Sequence, residues 1–240
     1  MSNRIEIYRT HERQVTGVAD WLVKQMLESH GDFRLVLCGG STPRPLYQHL
    51  GRQPYRDRIP WRRMRIFWGD ERCVPYNDPA SNCGMALTAW LRAAPIPHER
   101  VHPIPVRDEP DRAAMRYETL LREVAATDAR EEPRPLFDVV LLGLGADGHT
   151  ASLFPNSPLL EEKERWVVAV GGQPLPRVSL TLPALSSCRH AVFIVTGSDK
   201  QRAAMGAIGG DPRLPAAYVR SEGDVVWFLD REAAAPLYHK

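Results

Sequence analysis

An aspartate and a histidine stand two residues apart in a glycine-rich stretch that directly follows a long apolar run. The stretch is GLGADGHT at 143–150, and the apolar run is FDVVLLGLG at 137–145. A histidine can take a proton from water near neutral pH, and a nearby carboxylate can orient its ring. An isolated pair of this kind is more typical of a capped surface turn. Whether this pair has a catalytic role therefore depends on which residues the other loops contribute. Asp147 and His149 are the first candidates for acid–base chemistry.

A second glycine-rich loop has the groups that bind a phosphate. It begins after the apolar run RLVLCGG at 34–40 and opens a predicted helix. Backbone N–H groups, two hydroxyls and the positive end of a helix dipole together favour a dianion. The candidate anion-binding residues of this loop are Gly39, Gly40, Ser41 and Thr42.

Charged residues follow glycine at the ends of two further apolar runs. GDER at 69–72 places Asp70 and Arg72 at one strand end, and GSDK at 197–200 places Lys200 at another. A lysine at the start of a helix opposes the helix dipole, and binding an anion would explain it.

Apolar strands that alternate with helical patterns must position these loops. The strands are predicted at 34–40, 64–71, 137–145, 166–170, 190–198 and 224–230, the last with a short helix after it. The helices are predicted at 12–30, 41–50, 85–93, 111–127 and 199–208. In the second of them Thr42 is the predicted cap and Pro43 the first helical residue. Proline-rich connections are predicted at 94–110 and 130–135. This alternation predicts an α/β fold: a Rossmann-like, mostly parallel sheet with helices on both faces, as a single domain over 1–240. Ligands of such sheets bind at the carboxyl ends of the strands.

The G-x-G-x-x-G spacing at 143–148 is also that of a dinucleotide-binding loop, but its context does not fit. Such a loop opens a helix and is followed by a strand that ends in an acidic residue. Here Pro155 and Pro158 interrupt any helix, and the strand at 166–170 is followed by Gly-Gly-Gln. The sequence therefore predicts no nucleotide cofactor.

Composition excludes several classes of partner. The chain has 240 residues, a formal net charge of +2 and no block of like charges, which indicates neither a nucleic-acid nor a membrane-surface partner. The polar N-terminus MSNRIEIYRTHERQ lacks the apolar core of a signal peptide, so a cytoplasmic location is expected. The four cysteines lie far apart without C-x-x-C spacing, so neither a metal site nor a disulfide framework is predicted.

Taken together, five segments resemble the 6-phosphogluconolactonase family, whose fold is shared with glucosamine-6-phosphate deaminase and ribose-5-phosphate isomerase. The segments are GGSTP (39–43), GDERCVPYNDPASN (69–82), GLGADGHTASLFP (143–155), RVSLT (177–181) and GSDK (197–200). The resemblance implies hydrolysis of 6-phospho-D-glucono-1,5-lactone to 6-phosphogluconate, in the oxidative pentose phosphate pathway, without metal or organic cofactor.

The resemblance also implies roles for individual residues. The family's catalytic histidine carries over onto His149. Apart from the resemblance, the mechanism calls for a carboxylate to orient the imidazole, and Asp147 and Asp70 are the two candidates. Arg72 is placed against substrate oxygens, where it and backbone amides of the glycine loops are candidates to stabilise an oxyanion. The sugar-phosphate ligands implied by the related deaminase are Ser41, Thr42, Arg177 and Lys200. Two positions depart from the family pattern, Cys38 in place of serine and Ser179 in place of threonine.

Three alternatives stay open. A glucosamine-6-phosphate deaminase resembles this pattern, but that family has a glutamate five residues after the histidine, where this chain has Phe154. A sugar-phosphate-binding domain of a transcription regulator needs a DNA-reading module, and the segment before the first glycine loop is mostly one amphipathic helix. A serine hydrolase needs a G-x-S-x-G elbow, which the sequence lacks.

Overall fold

A six-stranded sheet forms the centre of the protein, and each pair of neighbouring strands in it runs parallel. The computed structural model describes residues 3–126 and 134–239. The strands are β1 (Asn3–Tyr8), β2 (Phe33–Leu37), β3 (Met64–Trp68), β4 (Asp70–Arg72), β5 (Phe137–Leu142), β6 (Val167–Val170), β7 (Arg177–Leu180), β8 (Cys188–Val195) and β9 (Val225–Asp230). The helices are α1 (His11–Glu28), α2 (Arg44–Leu50), α3 (Tyr55–Arg58), α4 (Asn82–Ala89), α5 (Pro110–Ala126), α6 (Leu182–Ser186) and α7 (Gln201–Ile208).

The sheet is buried on both of its faces. Every residue of β2, β5 and β9 is buried, although successive side chains of a strand point to opposite faces. Helix α1 contributes a stripe of fully buried residues that includes Val18, Leu22 and Met26, and Thr10 caps its first turn by accepting the N–H of Arg13. The predicted α/β fold with a mostly parallel, covered sheet is confirmed.

The order of the strands creates a crevice between β2 and β5. The order is β1-β9-β8-β5-β2-β3, so the chain leaves β2 towards β3 and later continues from β5 in the opposite direction. Neighbouring strands whose connections depart in opposite directions leave a space at their carboxyl ends. The glycine loops at 39–42 and 143–148 follow these two strands and therefore lie at this space.

A second, three-stranded antiparallel sheet has the order β4-β7-β6. The prediction of one strand over 64–71 is therefore wrong at Gly69, where the chain passes from the first sheet to the second. The Gly69 N–H donates to Leu37 O of β2 at 3.0 Å, and its carbonyl accepts from Leu180 N of β7 at 2.8 Å. In the second sheet Arg72 pairs with Arg177, which sets the two guanidinium side chains on neighbouring strands.

Several other predicted boundaries need correction. Helix α2 begins at Arg44 with Pro43 in the N-cap position and no side-chain cap, so the assignments of Thr42 as cap and Pro43 as first helical residue are wrong. The Thr42 hydroxyl lies 3.3 Å from that of Thr196 instead. Helix α4 begins three residues earlier than predicted, because the Ser81 hydroxyl accepts the N–H of Gly84. Strand β1 was not predicted.

The predicted connection at 130–135 lies mostly outside the described residues. Within 3–126 and 134–239, no helix combines the length and apolar character needed to cross a membrane.

Candidate active site

A cleft of about 240 Å³ lies at the carboxyl ends of β2 and β5. All of the predicted site residues line it except Asp147, which contacts His149 from the side. The lining residues are Cys38, Gly39, Gly40, Ser41, Thr42, Pro43, Asp70, Arg72, Asn82, Gly143, Leu144, Gly145, His149, Ala151, Arg177 and Lys200. The fold thus brings together segments that are more than 150 residues apart in the sequence.

His149 is oriented by Asp147. Its Nδ1 lies 2.7 Å from Asp147 Oδ1, and its backbone N–H donates to the same oxygen at 3.1 Å. Partial burial raises the pKa of Asp147, but the two hydrogen bonds and the nearby imidazole outweigh it and lower the pKa overall. Because an ionised carboxylate only accepts, Nδ1 carries the proton and Nε2 of the neutral ring is left as the basic atom.

Two glycines of this loop, Gly145 and Gly148, are required by its close packing and backbone conformation. Gly145 N–H donates to the His149 carbonyl at 2.8 Å, and Gly148 N–H donates to Gly145 O at 3.0 Å. Gly148 has a φ of +87°, a conformation that side chains disfavour. A Cβ on Gly145 would lie 2.1 Å from His149 Nδ1. Gly145 and Gly148 are therefore explained without a dinucleotide, whereas a Cβ on Gly143 would meet nothing within 4 Å.

Asp70 does not contact the histidine. It is buried, and Ser152 donates its hydroxyl to Asp70 Oδ2 at 2.6 Å while Asn82 Nδ2 donates to Oδ1 at 3.2 Å. Of the two carboxylates predicted as alternatives for orienting His149, the geometry thus favours Asp147. Asn82 also packs closely on Gly39, where a Cβ would lie 1.7 Å from its Oδ1.

Two arginines meet in the cleft with few partners. Arg72 Nη1 donates to Ala80 O at 2.6 Å, and Arg177 Nη1 donates to Ser152 Oγ at 3.4 Å. The Nε atoms of both arginines are buried without a hydrogen-bond partner. Burial and the charge of Arg72 lower the pKa of Arg177, and Asp70 opposes that effect. Two close cations with unused donors favour the binding of an anion.

Lys200 adds a third cation to the lining of the cleft. Its Nζ lies 3.3 Å from Asp199 Oδ2, and about a quarter of the side chain (24%) is exposed. Lys200 was predicted at the start of a helix. In the structure it ends a 3-10 turn and is the N-cap residue of α7, which begins at Gln201.

Sequence reasoning missed Glu71, the residue that fixes the arginine-bearing segment. Its carboxylate is fully buried and accepts the N–H groups of Arg72, Asn82 and Cys83 and the hydroxyl of Ser81. Burial raises the pKa of Glu71, although these donors oppose the effect. The residue joins β4 to the start of α4. The local sequence does not distinguish Glu71 from a solvated carboxylate at a strand end, because most of its partners lie at Ser81, Asn82 and Cys83, further along the chain.

Phe154 is a second residue whose place was not predicted. Its ring lies 4.7 Å from that of His149, centroid to centroid, and the Arg177 guanidinium carbon lies 5.4 Å from its centroid. It therefore packs the histidine and the arginine against one apolar surface.

The described residues hold no group of three or more His, Cys, Asp or Glu side chains suited to a metal ion. The four cysteines are free; Cys38, Cys83 and Cys188 are buried and Cys73 is partly buried.

Comparison with known proteins identifies the family. The sequence profile described as glucosamine-6-phosphate isomerases/6-phosphogluconolactonase matches residues 10–227. A 6-phosphogluconolactonase of Mycobacterium tuberculosis is 40% identical over 250 residues, which cover 99% of each chain. One of Synechocystis is 38% identical over 231 residues, which cover 94% of this chain and 93% of the relative.

A solved structure agrees with the sequence relatives. The crystal structure of the Thermotoga maritima 6-phosphogluconolactonase, at 30% identity, superposes with a TM-score of 0.82 over 95% of this chain and 100% of that one. The resemblance that the motifs predicted is confirmed. The chain therefore belongs to the enzyme family of the glucosamine-6-phosphate isomerases and 6-phosphogluconolactonases.

Proposed function

We propose that this protein hydrolyses 6-phospho-D-glucono-1,5-lactone to 6-phosphogluconate in the oxidative pentose phosphate pathway, with His149 as the general base. The observation that carries the proposal is the pairing of His149 with Asp147 at 2.7 Å in the same cleft as three cationic side chains. A hydrolase of a phosphorylated lactone needs both a base for water and a site for the phosphate. The relatives described above carry the name of this activity.

In the proposed reaction, water attacks the lactone carbonyl while Nε2 of His149 takes one of its protons. The carbonyl oxygen carries the negative charge of the tetrahedral intermediate. When the bond between C1 and the ring oxygen breaks, the imidazolium returns the proton to that oxygen. General base catalysis of this kind contributes roughly 10² to 10⁴ in rate. Asp147 holds the tautomer that the step needs and stabilises the imidazolium that forms.

The cations divide between the two anionic parts of the substrate. Ser41 and Thr42, from the glycine loop after β2, line the same cleft as Arg177 and Lys200, and these four residues form the proposed phosphate site. Arg72, together with backbone N–H groups of the glycine loops, is the proposed partner of the oxyanion. Binding energy from the phosphate then serves to hold C1 over the histidine.

The position of Phe154 weighs against deaminase chemistry. The ring of this phenylalanine packs at a tilt of 40° against that of His149, at the place where the deaminase pattern has a glutamate. Asp70, the carboxylate among the residues that line the cleft, is already engaged by Ser152 and Asn82. The carboxylate that contacts His149 is Asp147, two residues before it, and the position of the deaminase glutamate carries no charge in this chain. The expected cytoplasmic location and the absence of a nucleic-acid partner stay predictions.

The proposal is tested with two lactones that differ in the phosphate. Loss of freshly generated 6-phosphogluconolactone, corrected for spontaneous hydrolysis, is compared with loss of glucono-1,5-lactone. We expect kcat/KM for the unphosphorylated lactone to be at least about 100-fold lower, since remote binding energy is lost. Equal turnover of both lactones would refute the phosphate site. Ammonia release from glucosamine 6-phosphate, measured in parallel, would instead support a deaminase.

A further inference from the structure

A buried serine stands between the negative charge and one of the positive charges of the cleft. Ser152 is fully buried, and its Oγ lies 2.6 Å from Asp70 Oδ2 and 3.4 Å from Arg177 Nη1. A hydroxyl has one proton to donate, and an ionised carboxylate only accepts. Ser152 therefore donates to Asp70 and accepts from Arg177.

This arrangement keeps the carboxylate and the guanidinium apart. Among the described residues, the side-chain hydrogen bond of Arg177 goes to Ser152 and not to a carboxylate. A carboxylate in direct contact with arginine tends to bind it through two parallel hydrogen bonds, which occupy the donors that a phosphate would use. Although Asp70 is separated from Arg177 by the hydroxyl of Ser152, its charge still offsets the repulsion between Arg177 and Arg72.

We propose that Ser152 is a positioning residue that separates the Asp70 carboxylate from the Arg177 guanidinium and so keeps Arg177 available to the substrate's phosphate. The inference rests on the proposed role of Arg177 in phosphate binding. It gives a function to a serine that does not line the cleft.

The surroundings of Ser152 hold its hydroxyl in this place. Its backbone N–H donates to Ser179 Oγ at 3.2 Å, and Ser179 is the residue opposite Asp70 in the pairing of β4 with β7. Ala151, the residue before Ser152, has a φ of +49°, a backbone conformation that is energetically unfavourable for a residue with a side chain. Phe154 packs on Arg177 at 5.4 Å and limits its movement.

The test is a double-mutant cycle on Ser152 and Asp70. In Ser152→Ala the carboxylate loses its donor and Arg177 closes onto it. We expect the Kd of 6-phosphogluconate, measured by calorimetry, and the KM of the lactone both to rise about tenfold, the effect of losing one hydrogen bond to a charged group. We expect kcat to stay within about threefold of wild type, since His149 is not touched.

The cycle distinguishes separation of charges from a general structural defect. In the Asp70→Asn background no carboxylate remains to capture Arg177, so the Ser152→Ala effect on Kd should shrink to less than about threefold. Ser81→Ala is the matched control, because Ser81 is also a buried serine that donates to a buried carboxylate, Glu71 at 2.9 Å. It should lower the melting temperature and leave the Kd within about twofold of wild type.

Several outcomes would overturn the inference. They are a Kd of Ser152→Ala within twofold of wild type, an equal loss in the Asp70→Asn background, and a wild-type protein that binds neither 6-phosphogluconate nor inorganic phosphate. If Ser152→Ala does not melt cooperatively, Ser152→Cys takes its place, because a thiol keeps the volume but is a weak donor. A wild type that binds both ligands but does not hydrolyse the lactone would refute the proposed function alone, and the Kd values would still decide the role of Ser152.

Discussion

Replacement of Gly145 by alanine is expected to displace His149, the proposed general base, without replacing any ionisable side chain. The added Cβ would lie 2.1 Å from His149 Nδ1 and 2.4 Å from Asp147 Oδ1, whereas ordinary contact begins at 3.4 Å. The ring must therefore retreat by about 1.3 Å. A misplacement of about 1 Å costs about 100-fold in rate, or about 2.7 kcal/mol of transition-state stabilisation. We expect kcat for the phosphorylated lactone to fall by about this factor, with KM within threefold.

Gly143→Ala is the matched comparison in the same loop. A Cβ on Gly143 meets no protein atom within 4 Å, and neither glycine has a φ in the left-handed region. This variant adds the same methyl group without moving His149, so any loss should appear in KM through crowding of the cleft. Initial rates of lactone loss, corrected for spontaneous hydrolysis, give both constants. A kcat of Gly145→Ala within threefold of wild type would refute the reasoning.

The remaining predictions concern stability and thiol reactivity. Burial, followed by the charges of Arg65 and Arg100, lowers the pKa of His102 to about 4. The folded state then binds fewer protons than the unfolded state, and stability falls as pH drops from about 6.5 towards 4, by at most about 2 kcal/mol between pH 7.5 and 5. Urea unfolding at the two pH values should show a smaller change in His102→Phe, and an equal change would contradict the assignment. Burial raises the pKa of the Cys38 thiol to about 12, so iodoacetamide at pH 8 should label the partly buried Cys73 first, as mass spectrometry would show; labelling of both at one rate would contradict this.

Five of the six strands of the central sheet could be predicted because each contains an apolar run. Strand β1 escaped prediction because it lies at the edge of the sheet beside β9, where exposed and polar residues such as Arg4 and Glu6 are tolerated. The break between β3 and β4 at Gly69 was not predicted either. Asp70 and Glu71 are buried by contacts with residues distant in the sequence. A local sequence pattern does not contain these contacts, so it could not show that the chain changes sheets at Gly69.

The site was predictable to the extent that its residues carry recognisable chemistry. The D-x-H spacing identified the pair of Asp147 and His149, because a residue two positions away reaches back to both the ring and its backbone N–H. Ser152 and Asn82 were not found. Their role depends on Asp70, which lies 82 and 12 residues away in the sequence respectively. The cap predicted at Thr42 was wrong because its hydroxyl meets Thr196 from a distant loop.

The most direct test of the account is the hydrolysis of 6-phosphogluconolactone by wild type and by His149→Ala. Both proteins are first shown to melt cooperatively, and the rates are corrected for spontaneous hydrolysis. The account predicts that kcat falls by roughly 10² to 10⁴ in the variant while the Kd of 6-phosphogluconate changes little, because the phosphate site is intact. A folded variant whose kcat stays within threefold of wild type would contradict the assignment of His149 as the base.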